Sequence, residues 1–211
     1  MYQGEGGGEG EVGHTAGRST ALARQVILDA AHRVLREEGA EALRVRRVAD
    51  AAGCSTMGVY THFGGKHGLV AAMWRDGFES LAYALRAARK TSSTPLRELA
   101  PSYRRWALRH RPEYLLMFAR AVPEFRPDAE TQQACVDAFS VLVDAVDAAS
   151  AVGEVARGAG GRSAEESALV LWGCLHGQVM LELTEVHPAS ARRSGKRLMD
   201  LAVEAVIAGL G

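Results

Sequence analysis

The stretch of sequence that decides the fold covers residues 45–74 and reads VRRVADAAGCSTMGVYTHFGGKHGLVAAMW. Its first eight residues carry apolar side chains at helical spacing, which predicts about two turns of helix. Gly53 breaks this helix, and Ser55 is well placed to cap a second short helix over residues 56–62. Two glycines end the second helix, and a long apolar pattern follows them. The stretch therefore predicts two short helices joined by a tight turn and followed by a long helix.

The segment GVYTHFGGKH, residues 58–67, contains glycines beside a lysine and suggests a contact with phosphate. A nucleotide-binding P-loop requires the pattern G-x-x-x-x-G-K-[ST] after a strand. Counting back from Lys66 puts Tyr60 where the first glycine belongs, and His67 replaces the hydroxyl that would bind Mg²⁺. No strand is predicted before the segment. These departures argue against a nucleotide and favour the phosphate of a nucleic-acid backbone.

A first helix is predicted before this stretch, because apolar residues recur every four positions at Leu22, Val26, Ala30 and Val34. This spacing gives one apolar face of an amphipathic helix. A longer helix packed against two short helices with a tight turn matches a helix-turn-helix unit. The second short helix of such a unit can enter the major groove of DNA, which is wide enough for an α-helix.

The distribution of charge agrees with a nucleic-acid contact near the N-terminus. The chain has no net charge, but residues 18–67 hold eight Lys or Arg against five Asp or Glu, a net charge of +3. Residues 1–17 carry many glycines and three glutamates without any Lys or Arg, a composition that predicts a disordered leader. The neutral chain therefore has a basic unit of the kind that phosphate contacts require.

The quoted stretch resembles the DNA-binding domain of tetracycline-repressor (TetR) family regulators. That family reads approximately as a helix ending in A-x-x-x-G, followed by V-S-x-x-x-[LV]-Y-x-[HY]-F-x-x-K-x-x-L. The similarity covers roughly residues 20–75. The positions that fall in register are Ala49, Gly53, Ser55, Val59, Tyr60, His62, Phe63, Lys66 and Leu69.

The resemblance implies that four residues around the second short helix, Tyr60, Thr61, His62 and Lys66, contact the DNA backbone or groove. Hydroxyl groups and a lysine suit such positioning contacts. Tyr60 or His62 taken alone could equally be an ordinary surface side chain, so the prediction rests on the combined spacing. The full set of predicted DNA-binding residues is Arg44, Arg46, Arg47, Ser55, Thr56, Met57, Tyr60, Thr61, His62 and Lys66.

Several positions depart from the family pattern. Arg44 occupies the place where Thr or Ser often caps the first short helix, and Cys54 stands where valine is common. Met57 replaces a frequent glycine or alanine, and the arm before the first helix holds only Arg18 and Arg24 as basic residues. These departures bear on the operator sequence more than on DNA binding itself.

The remainder of the chain predicts several further helices separated by prolines, with a capping-box pattern at Ser163 and Glu166. The fold class is therefore all-α, with a small three-helix N-terminal unit, a larger helical body and about nine helices in total. The predicted domains are a disordered leader (residues 1–17), a helix-turn-helix DNA-binding domain (18–66) and a ligand-binding and dimerisation domain (67–211).

The cysteines and the hydropathy pattern predict a cytoplasmic protein without a membrane partner. Cys54, Cys135 and Cys174 are scattered and odd in number, which favours reduced thiols over a disulfide framework or a zinc site. No apolar run reaches the ~18 residues that a bilayer span requires. The N-terminus lacks the apolar region of a secretory signal.

The segment LWGCLHGQVMLE, residues 171–182, resembles a C-terminal domain type of the same family that is recognised by Trp, His and Gly at this spacing. Residues 111–124, RPEYLLMFARAVPE, also resemble that type. Trp172 and His176 share a helix face and predict a mostly apolar effector cavity, although aromatic residues at helical spacing are often ordinary core. The predicted ligand-binding residues are Tyr103, Trp106, Met117, Phe118, Phe139, Trp172, His176 and Met180.

These features together predict a ligand-responsive, dimeric regulator of transcription. A two-fold operator needs two DNA-binding domains, here called reading heads, about 34–36 Å apart or a multiple of that distance. The last two helices carry apolar stripes with Ala and Gly, and the resemblance implies a dimer through them. The predicted function is a repressor that a small, largely apolar effector releases from a palindromic operator. The sequence contains no catalytic motif and predicts no metal or cofactor; a helical scaffold without specific DNA binding, or less readily an enzyme, is the alternative.

Overall fold

The computed structural model describes residues 9–89, 94–155, 163–186 and 194–210. These residues contain nine α-helices and no strand, which confirms the predicted all-α class. None of these helices combines the length and the apolarity that crossing a bilayer would require. In chain order the helices are α1 (Glu9–Glu38), α2 (Val45–Ala52), α3 (Thr56–Phe63), α4 (Lys66–Arg89), α5 (Pro95–Arg109), α6 (Arg111–Phe118), α7 (Ala129–Ala151), α8 (Ala164–Leu183) and α9 (Gly195–Leu210).

The helices divide into two compact units. The first unit comprises Met1–Met73 together with Ala121–Phe125, and the second comprises Trp74–Arg120 and Arg126–Gly211. The division falls within α4, after the boundary that the sequence predicted at residue 66. The short segment 121–125 belongs to the first unit, although it follows α6 in the chain.

The buried face of α1 begins later than the sequence predicted. Ile27, Ala30 and Val34 are buried, but Leu22 and Val26 of the predicted apolar face are 67% and 46% exposed. Val26 is next to the buried Ile27, so its exposure reflects the side of the helix on which it lies. For Leu22 the reason is one of length: α1 has 30 residues, whereas α2 and α3 have eight each. At about 1.5 Å per residue the two short helices can cover only part of α1.

The first helix also begins earlier than predicted. The sequence placed residues 9–17 in a disordered leader, but α1 begins at Glu9 and includes them. The leader's composition shows that it cannot build a core, but extending an existing helix needs no core and no new nucleus. Residues 1–8 of the predicted leader lie outside the described residues.

Local capping chemistry forms the tight turn between α2 and α3. Gly53 adopts a left-handed conformation (φ 68°) at the end of α2, and its N–H donates to the carbonyls of Ala49 and Asp50. The Ser55 hydroxyl accepts a hydrogen bond from the Gly58 N–H at 3.2 Å. This contact confirms the predicted cap of α3, which satisfies a backbone donor that the helix itself leaves unpaired.

The junction between α3 and α4 depends on glycine for two different reasons. Gly64 and Gly65 have φ values of 69° and 114°, which L side chains rarely adopt. Gly68 lies inside α4, and a Cβ built there would be only 1.9 Å from the carbonyl oxygen of Phe63. A side chain at position 68 would therefore force the end of α3 away from the start of α4.

The second unit is a helical body in which α8 packs against α5, α7 and α9. Ser163 and Glu166 form the predicted capping box at the start of α8, with both hydrogen bonds present. Arg97 on α5 binds Glu154 after α7 and Glu204 on α9. These contacts join the start of α5 to the end of α7 and to the middle of α9.

We predict that Gly68→Ala destabilises the protein, whereas Gly58→Ala does not. An added methyl group at position 68 meets a backbone oxygen and should cost roughly 1–3 kcal/mol or more. At position 58 the nearest atom would be the Cys54 sulfur at 3.6 Å, an ordinary contact, so the better helix propensity of alanine can be realised. Thermal unfolding of the two full-length variants should give the lower midpoint for Gly68→Ala; equal midpoints would contradict the close approach.

Candidate nucleic-acid interface and ligand site

The recognition helix α3 has one buried face and one free face. Val59 and Phe63 are buried in the first unit. The opposite face is open, with Met57 69% exposed and Tyr60 54% exposed. This face can therefore reach a DNA groove without any rearrangement of its own unit. Its exposed predicted residues are Thr56, Met57, Tyr60 and Thr61.

Two side chains on this face are oriented by their neighbours. The Thr61 hydroxyl donates to the carbonyl oxygen of Met57 at 2.9 Å, which leaves its own oxygen as an acceptor. The Tyr60 ring lies beside Gly65, where an added Cβ would be 3.1 Å from a ring carbon. The other predicted contacts are less exposed or already engaged, since His62 is half-buried and the Ser55 hydroxyl caps α3.

The three predicted arginines at the start of α2 differ in how free they are. Arg44 and Arg46 are exposed, and among the described residues neither guanidinium group has an ion pair or a hydrogen bond. Arg47 donates through its Nε to both carboxylate oxygens of Glu38, at 2.9 and 3.0 Å. This hydrogen bond lowers the pKa of Glu38 and raises that of Arg47. The Arg47 side chain is therefore already paired within the first unit, a contact that the sequence did not predict.

Lys66, the predicted phosphate contact at the start of α4, also has an internal partner. Its Nζ lies 2.6 Å from Oε1 of Glu124, and this hydrogen bond lowers the pKa of the Glu124 carboxyl. The Phe125 ring packs 5.2 Å from the ring of His67 and fixes the segment beside α4. Because Glu124 is 58 residues away in the chain, no local sequence signal could have identified it.

The sequence did not assign a role to Arg24, although it noted the residue as part of the arm. Its guanidinium carbon lies 4.8 Å from the centre of the Phe63 ring. A cation over an aromatic ring is attracted by the ring's negative face. Arg24 thus attaches α1 to the end of the recognition helix and is not a free cation of the arm.

In the second unit, aromatic residues from α5, α6 and α8 form a chain of hydrogen bonds. The Trp172 indole N–H donates to the Tyr103 hydroxyl at 3.1 Å. The hydroxyls of Tyr103 and Tyr114 lie 2.9 Å apart, and the Tyr114 hydroxyl lies 2.7 Å from Nδ1 of His176. Both tyrosines are fully buried, whereas Trp172 and His176 are half-buried.

The donor of each hydrogen bond follows from the chemistry of the groups. The Trp172 indole can only donate, so the Tyr103 oxygen accepts from it. If Tyr103 then donates to Tyr114, and Tyr114 to His176 Nδ1, every buried hydroxyl proton has an acceptor. In the reverse direction the buried Tyr103 proton would lack an acceptor among the described residues, which costs free energy. The favoured arrangement leaves the proton of His176 on Nε2.

Burial shifts the pKa values in the direction that keeps this chain neutral. It raises the pKa of Tyr103 to about 12 and also raises the pKa of Tyr114. Burial also lowers the pKa of His176, so its imidazole is neutral at pH 7. The cluster therefore presents an N–H donor without a formal charge.

Most of the predicted ligand residues lie in or beside this cluster. Phe118 and Phe139 pack on Trp172, with ring centres at 6.1 and 5.4 Å, and Phe118 also packs 4.7 Å from His176. Tyr114 was not among the predicted ligand residues, although it lies within the segment 111–124. Its hydroxyl connects Tyr103 to His176 in the chain of hydrogen bonds.

The other predicted ligand residues have different surroundings. The Trp106 indole N–H donates a hydrogen bond to the Ser80 hydroxyl at 3.0 Å, and the Trp106 ring packs against Tyr114. Met117 is buried against Gly77, where an added Cβ would be 2.6 Å from its sulfur. Met180 is half-buried on α8 and takes no part in the ring and hydrogen-bond contacts of the cluster.

Comparison with known families identifies both units. Residues 27–73 match the family described as "Bacterial regulatory proteins, tetR family". Residues 96–206 match the family described as "Tetracyclin repressor-like, C-terminal domain". The second match alone covers more than half of the chain. No curated protein matches the chain by sequence.

Solved structures with the same fold span the chain almost completely. The candidate regulatory protein SCO4313 is 27% identical, with a TM-score of 0.75 over 90% of this chain and 98% of its own. A tetR-family regulatory protein from Rhodococcus RHA1 is 20% identical, with a TM-score of 0.64 over 87% and 96%. SmeT in complex with triclosan is 23% identical, with a TM-score of 0.63 over 87% and 91%.

We predict that Glu124→Gln tightens binding to duplex DNA. Removing the carboxylate frees the Lys66 ammonium for phosphate, and an exposed ion pair of this kind corresponds to a change of up to about fivefold in affinity. The logarithm of the binding constant should also fall more steeply with the logarithm of salt concentration. Fluorescence anisotropy over a salt series measures both quantities.

The matched control is Glu130→Gln, which removes the same charge from an exposed ion pair with Arg75 in the second unit. A control that tightens binding as much as Glu124→Gln would show a general effect of net charge. In that case the Lys66–Glu124 contact would have no specific influence on DNA binding.

Proposed function

The chain belongs to the tetracycline-repressor (TetR) family of DNA-binding transcriptional regulators, and on this basis we propose that it is a dimeric repressor of a palindromic operator. In this proposal a small, largely apolar effector binds the second unit and releases the protein from DNA. The exposed face of α3, with Met57 and Tyr60 open to a DNA groove, is the observation that carries the proposal. The protein would act in the cytoplasm, where operator DNA lies.

The DNA-binding part of the proposal assigns different tasks to two groups of residues. Thr56 and Met57 open the recognition helix and would read base edges in the major groove. Arg44, Arg46 and the Tyr60 hydroxyl would contact phosphates, which position the helix and supply most of the salt-dependent affinity. Arg47 contributes less in this scheme, because Glu38 already balances its charge.

The dimer would form through α8 and α9. On α8, Leu169 and Val170 are 60% and 51% exposed, and on α9, Leu201 is 56% exposed. A Cβ added at Gly173 or Gly177 of α8 would meet no atom within 4 Å, so this helix surface is open to another chain. Large exposed apolar residues beside small ones allow two helices to approach closely and bury apolar area.

The effector would bind at the aromatic cluster. Phe118, Phe139 and Trp172 are only half-buried and offer apolar surface, and the Nε2 proton of His176 offers one hydrogen-bond donor. This combination suits a small apolar molecule that carries a hydrogen-bond acceptor. SmeT, which is described as the repressor of the Stenotrophomonas maltophilia multidrug efflux pump SmeDEF, forms a complex with triclosan. That complex supports the use of this fold for small-molecule binding.

Release from DNA then requires only that the effector bind two states of the dimer unequally. A ligand with equal affinity for both states would shift nothing. The effector would favour a separation of the two reading heads that no longer fits two half-sites one helical turn apart. The DNA and the effector would weaken each other's binding by the same factor.

We predict that the full-length protein binds the DNA upstream of its own gene as two chains per duplex and with a strong salt dependence. Arg46→Ala should reduce the slope of log K against log salt by about one, since it removes one phosphate contact. Arg47→Ala is the matched control and should change the slope less. A flat salt response, or equal affinity for random DNA, would instead support the scaffold alternative.

We predict that effectors found by a thermal-shift screen lose affinity in the variant Tyr114→Phe. Without the Tyr114 hydroxyl, nothing fixes the His176 tautomer, and the Nε2 donor is no longer oriented. The loss should be about tenfold, the equivalent of one hydrogen bond. Tyr83→Phe, which changes a tyrosine that is 76% exposed, is the control and should keep the full shift. Equal shifts in both variants would place the effector elsewhere.

A further inference from the structure

A groove on the second unit lies between α5 and α9 and shares no residue with the aromatic cluster. Its volume is about 420 Å³, which is within the range of small-molecule sites. Pro101, Leu108 and Met199 supply its apolar lining, and Arg105 and Arg109 lie along α5. The groove therefore combines an apolar surface with two guanidinium groups.

The walls of this groove are fixed by ion pairs. Arg104 binds Glu182 on α8 through its Nε, at 2.8 Å from Oε2. A Cβ added at Gly195, the first residue of α9, would be 2.8 Å from Oε1 of the same glutamate. Further along, Arg97 binds both carboxylate oxygens of Glu204 on α9. These contacts fix the separation of α5 and α9 in the absence of a ligand.

Arg105 and Arg109 differ from most arginines of this unit. They are exposed and one helical turn apart, and neither guanidinium group has an ion pair or a hydrogen bond among the described residues. Lys196 across the groove is already paired with Asp200 at 2.7 Å. The arginines of the unit that have a partner include Arg75, Arg86, Arg89, Arg97, Arg104 and Arg111.

We propose that this groove binds an amphiphilic organic anion, with a carboxylate head on Arg105 and Arg109 and an alkyl or aryl body on the half-buried Pro101 and Leu108. The guanidinium fork matches the planar carboxylate and can bind both of its oxygens. Burying the hydrocarbon against the apolar lining adds affinity in proportion to the area removed from water. Such a ligand differs from the effector of the aromatic cluster, which meets a neutral donor.

The test is isothermal titration calorimetry of the full-length protein with three probes that separate the head from the body. Octanoate carries both parts, acetate carries the head alone and octanol carries the chain alone. Octanoate should bind at least tenfold more tightly than either of the other probes. Octanol binding as tightly as octanoate would overturn the proposal, because it would show a cleft that does not recognise an anion. An octanoate affinity no higher than that of acetate would overturn it as well, because the hydrocarbon body would then contribute nothing to binding.

Variants then locate the binding. The double variant Arg105→Gln/Arg109→Gln should lose octanoate affinity at least tenfold, and Leu108→Gln should reduce the preference for octanoate over acetate. Arg197→Gln is the matched control, because Arg197 is exposed on α9 and is not part of the groove lining. It removes a nearby positive charge and should leave octanoate binding unchanged. Equal binding by the double variant and the wild type would place the site elsewhere and overturn the proposal.

Discussion

The carbonyl oxygen of Phe63 lies where a side chain at position 68 would begin, and the arrangement of the DNA-binding unit depends on this close approach. It allows α4 to start directly beside the end of the recognition helix. Lys66 and the Tyr60 ring, which packs on Gly65, are held by the same junction. The glycines that first suggest a nucleotide loop therefore serve the packing of two helices, and the phosphate that they bring within reach belongs to DNA in our proposal.

Carboxylates moderate the positive charge that the first unit offers to DNA. Two of the predicted cationic contacts, Arg47 and Lys66, each have a glutamate partner, whereas Arg44 and Arg46 are free of partners among the described residues. A phosphate must compete with a partner for the paired cations, which lowers the gain from each contact. The second unit uses charge differently, since its ion pairs mostly join helices and leave Arg105 and Arg109 uncommitted.

Features that depend on neighbouring residues in the chain could be predicted from the sequence, and features that depend on tertiary partners could not. The turn at Gly53, the cap at Ser55 and the capping box at Ser163 follow from local hydrogen bonding, and the structure contains all three. The exposure of Leu22 on the predicted apolar face did not follow from the sequence, because periodicity identifies a possible face but not the length of the element that covers it. Tyr114 and Glu124 were missed because distant parts of the chain define their roles.

The return of residues 121–125 to the first unit has a consequence for modular engineering of the protein. A chimaera that exchanges the DNA-binding head by cutting after Met73 would leave this segment in the recipient chain. The transplanted start of α4 would then meet foreign residues in place of Glu124 and Phe125. The transferable module is discontinuous in sequence, and a head exchanged together with its five-residue segment would retain its own electrostatic setting.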